Sequence, residues 1–463
     1  MNTDMLRQLF EGVLWIGSLD GLKGIIMIVV GCVLLWLAIV KDFEPLLLLP
    51  IGSGCIWANL PFSSFLGEYV KCTQPIADQA AKYTELMKGA SAPSQSVLDA
   101  FWQKAAEATG NPYPLVDTLH NMIASGKCFG TVDSAGNVTG TINQMLLIDA
   151  NRGGMLATLY NVGVANELFP LLIFVGIGAM TDFGPLLENP KMIFLGGAGQ
   201  FGIFLTLLLA LAIGFSKDQA ASIGIIGAID GPTSIYVSSR LAPDMLGPIT
   251  VAAYSYMSLV PVIMPPVMRL FTSPKQRAIK MPYSSREITR TTRIVFPIAV
   301  TIIVGILVPF ALPLVGSLMI GNIMRESGAV ERLSGAAQNE LNNIVTLFLG
   351  LAIGSTMVGA NFINIKTLAI LLLGLFAFAA DTAVGVCGGH IYRIVTGGHF
   401  NPLIGAAGIS AFPMASRVVQ KEASKADYSN FILMHAMGAN AAGQIASAMA
   451  GGVLLALVPP GLT

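Results

Sequence analysis

One carboxylate set inside a long apolar run constrains this chain more than any other feature. From Val162 to Met268 the sequence is almost continuously apolar, and within it Gly224–Pro243 reads G-I-I-G-A-I-D-G-P-T-S-I-Y-V-S-S-R-L-A-P. Pro232 has no N–H to continue a helix, and Gly231 tolerates backbone angles closed to other residues, so the chain breaks beside Asp230. In lipid, broken backbone persists only where protein or a water-filled cavity surrounds it. A charge at the bilayer centre costs roughly 2.5–3.5 kcal/mol on insertion scales and usually faces an ion or substrate path. Two readings of Asp230 stand: a group on such a path, or a cap for the next helix at a membrane surface.

Only 11% of the 463 residues are charged and 54% are hydrophobic, against about 25% charged in soluble domains, which makes this an all-α polytopic membrane protein. Formal net charge is zero, so no basic excess recruits nucleic acid. Gly24–Val40 reads as a spanning anchor, with no small-residue cleavage site after it. Leu46–Leu60 is interrupted by Pro50, Gly52 and Gly54 and is short for a span. Upstream, Leu6, Phe10, Leu14 and Trp15 recur at the spacing of an interfacial helix.

Five regions follow from these shifts: membrane segments in 1–60, an extramembrane insertion at 61–155, a first membrane repeat at 156–270, a basic loop at 271–293 and a second repeat with a C-terminal helix at 294–463. The insertion holds eight acids and six bases and reads as short helices such as Ser96–Thr109. Arg269–Arg293 carries seven bases and one acid, a cytoplasmic signal. The weak acidic balance of the insertion leans to the opposite side, where Cys72 and Cys128 would bridge if close and oxidised. Cys32, Cys55 and Cys387 read as small core residues.

The apolar blocks resemble each other. L-A-L-A-I-G at 209–214 matches L-G-L-A-I-G at 349–354, an offset of 140 (354 − 214); G-A-M-T-D-F-G at 178–184 matches G-N-I-M-R-E-S-G at 321–328. Asp230 pairs with Asp381 at an offset of 151 (381 − 230), and I-M-P-P-V-M-R at 263–269 with A-F-P-M-A-S-R at 411–417. Duplicated halves with broken or re-entrant helices are the pattern of inverted-repeat transporters, with the site between the halves.

Asn401–Arg417 reads N-P-L-I-G-A-A-G-I-S-A-F-P-M-A-S-R. Its freed carbonyls, the Asn401 amide and the Ser410 hydroxyl are hard oxygen ligands suited to sodium; a close-packing face of small residues fits the spacing equally. Arg417 suits a carboxylate, or it snorkels to the interface. Tyr256 donates a proton or hydrogen bond to a ligand, or packs in the core. Asn440 sits on a close-packing helix face. Asp182 caps the turn that follows it. His390, His399 and His435 carry only local hydrogen bonds. Neither G-x-x-x-x-G-K-[ST] nor H-E-x-x-H occurs, and no Met-Lys-Met biotin-attachment site is present.

Six stretches then resemble one family: G-A-M-T-D-F-G-P-L-L-E-N-P (178–190), G-A-I-D-G-P-T-S-I-Y (227–236), A-A-Y-S-Y-M (252–257), G-N-I-M-R-E-S-G (321–328), N-P-L-I-G-A-A-G-I-S-A (401–411) and L-M-H-A-M-G-A-N (433–440). The chain is similar to the beta subunit of sodium-translocating, biotin-dependent decarboxylases acting on oxaloacetate, methylmalonyl-CoA, glutaconyl-CoA or malonate, over about residues 20–60 and 160–460. The resemblance implies an elevator-type inverted-repeat fold in the inner (plasma) membrane of a bacterium or archaeon. It implies decarboxylation of carboxybiotin carried on a partner, with a proton consumed and Na+ exported. By motif position it implies sodium ligation by Asp230, Asn401, Gly405, Ser410 and Asn440, with Asp381 added, and places Arg417, Tyr256 and Ser410 at carboxybiotin. Asp230 is implied in catalysis with Arg417 and Tyr256. The implied partners are a carboxyltransferase alpha subunit, a biotin carrier, a small gamma or delta subunit and further copies in a homotrimer. The rival reading is an elevator-type sodium–solute symporter without chemistry. The acid or acyl-CoA consumed is not legible, because this subunit meets only carboxybiotin.

Overall fold

The computed structural model describes residues 19–41, 45–60, 69–71, 131–132, 138–139, 145–147, 155–282 and 287–458. Contacts divide the chain into one unit of Met1–Asn59 with Val162–Thr463 and another of Leu60–Asn161. The described part of the smaller unit contains short strands: Tyr69–Lys71 pairs antiparallel with Met145–Leu147, and Thr131–Val132 with Val138–Thr139. The sequence reading expects helices in this insertion; Ser96–Thr109, Cys72, Cys128 and the interfacial helix of residues 1–18 lie outside the described residues.

The larger unit is helical. Its main helices are α1 (Leu19–Val40), α2 (Pro45–Asn59), α3 (Leu168–Met180), α4 (Ile193–Ala198), α5 (Phe201–Ile213), α6 (Lys217–Gly224), α7 (Gly231–Leu241), α8 (Leu246–Ser258) and α9 (Val260–Phe271). They continue with α10 (Arg290–Leu307), α11 (Leu312–Ser327), α12 (Asn342–Thr356), α13 (Ile365–Val395), α14 (Leu403–Ala406), α15 (Met414–Ala426) and α16 (Leu433–Leu457). Among the described residues five helices are long and apolar enough to cross a membrane, or up to seven if each bent pair counts as one span. This is a polytopic membrane protein, as the composition requires.

Leu46–Leu60 is one helix despite Pro50, which lies inside α2. It packs on α12 through two glycines: a Cβ at Gly54 would lie 2.6 Å from the Leu351 carbonyl oxygen, and one at Gly354 would lie 2.3 Å from that of Ile51. The α3–α11 crossing repeats this arrangement, with Gly178 against the Leu318 carbonyl at 1.8 Å and Gly321 against that of Val175 at 2.0 Å. In both crossings each glycine faces the carbonyl three residues before the other glycine. Short π-helical segments, Tyr160–Ala165 and Ala337–Leu341, precede α3 and α12 respectively.

The largest departure from the sequence reading is at Asp381. The offset of 151 equates it with the break at Asp230, but it lies within an unbroken helix of 31 residues, α13. The second broken stretch is the turn between α14 and α15, at Ala407–Pro413.

Candidate functional site

Lys217–Leu241 is a helical hairpin in pieces. α6 tightens into a 3-10 turn at Ile225–Ala228, Ile229 takes the left-handed conformation at φ 52°, and α7 starts at Gly231 with Pro232 in its first turn. A β-branched residue at positive φ is a strained exception. Asp230 caps α7, and its side chain lies inside the protein with 5% exposure. Oδ1 accepts the Thr233 N–H at 3.4 Å, and Oδ2 accepts hydroxyls from Thr233 at 2.6 Å and Ser447 at 2.9 Å. Among the described residues no basic side chain pairs with this carboxylate. Tyr254 packs its ring against Gly231, where a Cβ would come within 2.2 Å of it, and its phenol oxygen is buried with no hydrogen-bond partner.

The second break lies against the first. Ser410 donates both its N–H (3.3 Å) and its hydroxyl (2.6 Å) to the Ala228 carbonyl. Three side-chain amides then take three consecutive carbonyls of this turn: Gln200 that of Gly408 at 3.0 Å, Asn440 that of Ile409 at 2.6 Å, and Gln444 that of Ser410 at 2.7 Å. Each amide's own oxygen is buried without a partner. Asn440, Gln444 and Ser447 form one polar stripe on the apolar helix α16, contacting the second break and then Asp230 in sequence. Their i, i+4, i+7 spacing is the signal by which Gln444 and Ser447 could have been found. Gln200, Thr233 and Tyr254 carry no such signal.

The remaining predicted residues divide. Asp381 is fully buried; Oδ1 accepts the Gly202 N–H at 2.5 Å, while Oδ2 has no partner and lies 2.5 Å from where a Cβ on Gly227 would be. It therefore borders the first break from the α13 side. Tyr256 turns away from Asp230 and gives its hydroxyl to the Leu371 carbonyl on α13. Gly405 is a packing contact, its Cβ position 1.9 Å from the Gly385 carbonyl oxygen. Asn401 has partners elsewhere: its amide donates to the carbonyls of Arg277 (3.0 Å) and Ile279 (2.8 Å), and its oxygen caps Leu403 at 3.0 Å. Arg417 is exposed on α15, and among the described residues no carboxylate pairs with it. Asp182 caps its turn as expected, accepting the Gly184 N–H at 2.8 Å.

Charges gather beyond the ends of these helices. Arg269 grips Glu422 through two bonds of 2.7 and 2.9 Å, and Lys425 adds a third at 2.6 Å. Burial raises the Glu422 carboxyl, but these two cations outweigh it and hold it below the usual carboxylate range. Asp427 is held low by the hydroxyl and backbone N–H of Ser429 and by Lys280.

A buried carboxylate without a cation, edged by unpartnered oxygens and by two helix breaks, suits a hard monovalent cation. Comparison with known proteins identifies the family. The family described as "Na+-transporting oxaloacetate decarboxylase beta subunit" matches residues 23–458. The chain is 45% identical to the oxaloacetate decarboxylase beta chain of Klebsiella pneumoniae, covering 94% of each. It is 45% identical to the methylmalonyl-CoA decarboxylase subunit beta of Propionigenium modestum, again covering 94% of each. Identity to the corresponding subunit of Veillonella parvula is 43%, over 94% of this chain and 92% of the relative.

Proposed function

The chain belongs to the family of sodium-transporting decarboxylase beta subunits, and from that premise we propose that it is the membrane subunit that couples decarboxylation of carboxybiotin to sodium export. The observation that carries this reading is Asp230, buried without a cation and tied by the α16 stripe to a second broken stretch.

Sodium is the cargo. Asp230 neutralises it in a low-dielectric site, and Ser410 and Asn440 stand beside it, with the Asn440 oxygen unpartnered. Asp381 borders the same stretch. Gly405 and Asn401 support the turn instead, through packing and through the Arg277–Ile279 carbonyls. Arg417, exposed and without a carboxylate partner among the described residues, fits a carboxylate arriving from the aqueous side. When bound, the carboxylated ureido ring loses carbon dioxide: the C–N bond breaks, its electron pair stays on the ring nitrogen, and a proton joins that nitrogen. Arg417 orients the carboxylate with its planar fork. Tyr256 holds its phenol proton at the Leu371 carbonyl, and Tyr254, without a partner, is the phenol that borders Asp230. Moving one charge against 100 mV costs about 2.3 kcal/mol, so ion movement has to be linked to the chemistry.

The architecture we propose is an inverted repeat working as an elevator. α1, α2, the π segment with α3, α4–α5, the α6–α7 hairpin and α8–α9 correspond in order to α10, α11, the π segment with α12, α13, α14–α15 and α16. The reciprocal glycine crossings α2–α12 and α3–α11 support this exchange. Asp230 then corresponds to the neighbourhood of Ser410, which replaces the register that paired it with Asp381. In this register the first repeat takes in the membrane segments of 1–60 together with 156–270, interrupted by the insertion at 61–155, and the second begins at Arg290, a few residues before 294; the basic segment 271–293 is placed in the cytoplasm and the chain in the inner membrane. The partners are an alpha carboxyltransferase, a biotin carrier, a small gamma or delta subunit and two further copies of this chain.

Sodium uptake into vesicles carrying the complex tests the reading. Avidin should block uptake driven by the decarboxylated acid; uptake that continues with avidin present points to symport.

A further inference from the structure

Arg240 stands in the last turn of α7, the helix that Asp230 caps. Its guanidinium grips Glu167, the residue before α3, through two bonds of 2.5 and 2.8 Å. The guanidinium carbon also lies 4.5 Å from the centre of the Tyr236 ring, a cation–π distance. Tyr236 is fully buried, and its hydroxyl donates to the Phe310 carbonyl, between α10 and α11, at 3.3 Å. Glu167 takes the left-handed conformation at φ 62°, uncommon outside glycine and a feature of clamps and switch regions. Thr233, Tyr236 and Arg240 recur at i, i+3 and i+7. One face of α7 therefore carries, in turn, the bond to Asp230, the tie to Phe310 and the grip on Glu167.

Among the described residues this ion pair differs from the others in what it joins. The glycine crossings link α2 with α12 and α3 with α11, and α3 packs on α12 as well. The pairs of Arg293 and Arg325 with Asp182 and Glu326 stay within that group and α10. Those of Arg269 and Lys425 with Glu422, and of Lys280 with Asp427, stay among α9, α15 and the segments beside them. Arg240–Glu167 alone runs from the helices around the breaks to the glycine-crossed group. It lies at the end of α3 opposite Asp182, and about 15 Å along α7 from Asp230. The two side chains are partly covered, at 34% and 14% exposure. A fully exposed pair holds little, and a fully buried one leaves two uncompensated charges when it parts. This one holds and can still part into water.

We propose that Arg240 and Glu167 form a latch on the exit side of the sodium path, an inference that rests on the elevator reading above. Closed, the latch keeps α7, and with it the charged break, seated on α3. It opens once in each transport cycle, when the helices around the breaks move against the glycine-crossed group. It thereby stops sodium from running back while no acid is being decarboxylated.

The test uses the complete complex in vesicles loaded with radioactive sodium, with no decarboxylatable acid present. Glu167→Gln and Arg240→Gln each delete the ion pair, and each should speed sodium loss about tenfold, the scale of a lost hydrogen bond to a charged group. Adding Asp230→Asn to either should abolish the extra loss. A second arm links the latch shut in a chain whose five cysteines are replaced by serine. Glu167→Cys with Arg240→Cys, joined by a bis-methanethiosulfonate, should stop acid-driven uptake, and reduction should restore it. Gly247→Cys on α8 with Thr356→Cys on α12 joins the same two groups away from the latch, since a Cβ on Gly247 would lie 3.1 Å from that of Thr356. Three results overturn the latch: unchanged loss in both charge variants, extra loss that survives Asp230→Asn, or full uptake with 167 and 240 linked while the 247–356 link stops it. Failure of the elevator reading looks different: uptake would then continue under either link.

Discussion

The two broken stretches differ in what they bring to their contact. The first, at Ile229–Asp230, carries a formal charge and satisfies it with hydroxyls. The second, at Ala407–Pro413, carries none; it turns carbonyls outward, and three amides hold them. An ion needs both kinds of group, a carboxylate for its charge and neutral oxygens to replace water. In the proposed site each stretch supplies one kind, so neither forms it alone and relative movement of the two would make or break it.

The largest expected effect is at the charged break. Asp230→Asn keeps the shape and removes the charge; sodium uptake should fall below about a tenth of wild type, a loss of roughly 1.4 kcal/mol or more, with the protein still in the membrane. Uptake above that level would falsify the charged role. Next comes a pair that separates the two stretches. Ser447→Ala deletes a hydrogen bond to a carboxylate, worth about 1.5–3 kcal/mol, and should raise the sodium half-saturation concentration tenfold or more with little change in thermal stability. Gln444→Leu leaves the Ser410 carbonyl buried without its donor, at a cost of about 1–3 kcal/mol, and should lower the melting temperature first. If both variants act alike on sodium and on stability, the division of labour is wrong.

Arg417→Lys is expected to lower carboxybiotin turnover several-fold while leaving sodium affinity in place, since lysine keeps charge without the fork; equal losses would assign Arg417 to the framework. A cysteine pair at Ala228 and Ser410 should link under mild oxidation, because their backbones already meet. A pair at Gly231 and Gly405, one residue from each broken stretch, should not, since Gly231 faces Tyr254 and Gly405 faces Gly385. The smallest effect lies outside both breaks. Glu422 titrates lower folded than unfolded, so its contribution is complete above the unfolded value near 4.3 and disappears as pH falls through the folded one. Wild type should lose more stability than Glu422→Gln on acidification from about pH 5 to pH 3; parallel melting curves would remove Glu422 from the account.

Much of this was legible beforehand, and what was hidden was hidden for identifiable reasons. Asp230 could be read directly because a carboxylate followed by Gly-Pro has few places to go in lipid. Tyr254 and Tyr256 are two residues apart on one helix, about 200° around its axis, and only packing reveals that the first faces Asp230 and the second α13. The register of the proposed repeat is not legible in the sequence: short apolar matches recur by chance, and Asp381, equated with Asp230 by its offset, lies in an unbroken helix. Gly405 read equally as a ligand or a packing residue, since a glycine offers a carbonyl either way. Asn401 read as a ligand because its motif stands beside the break, whereas its side chain fastens the loop at 277–279.

The unbroken helix that carries Asp381 also sets a length. Its 31 residues span about 46 Å at 1.5 Å each, against roughly 30 Å of hydrocarbon. Even with a tilt of about 20°, some 13 Å must stand clear of the lipid. Near its C-terminal end the His390 ring meets the Phe271 carbonyl at 2.8 Å, where the chain leaves α9 for the basic segment. α13 therefore works as a ruler. In the proposed complex it would set how far from the lipid surface a soluble carrier docks, and so how long a tether must be to bring its cargo down to the helix breaks.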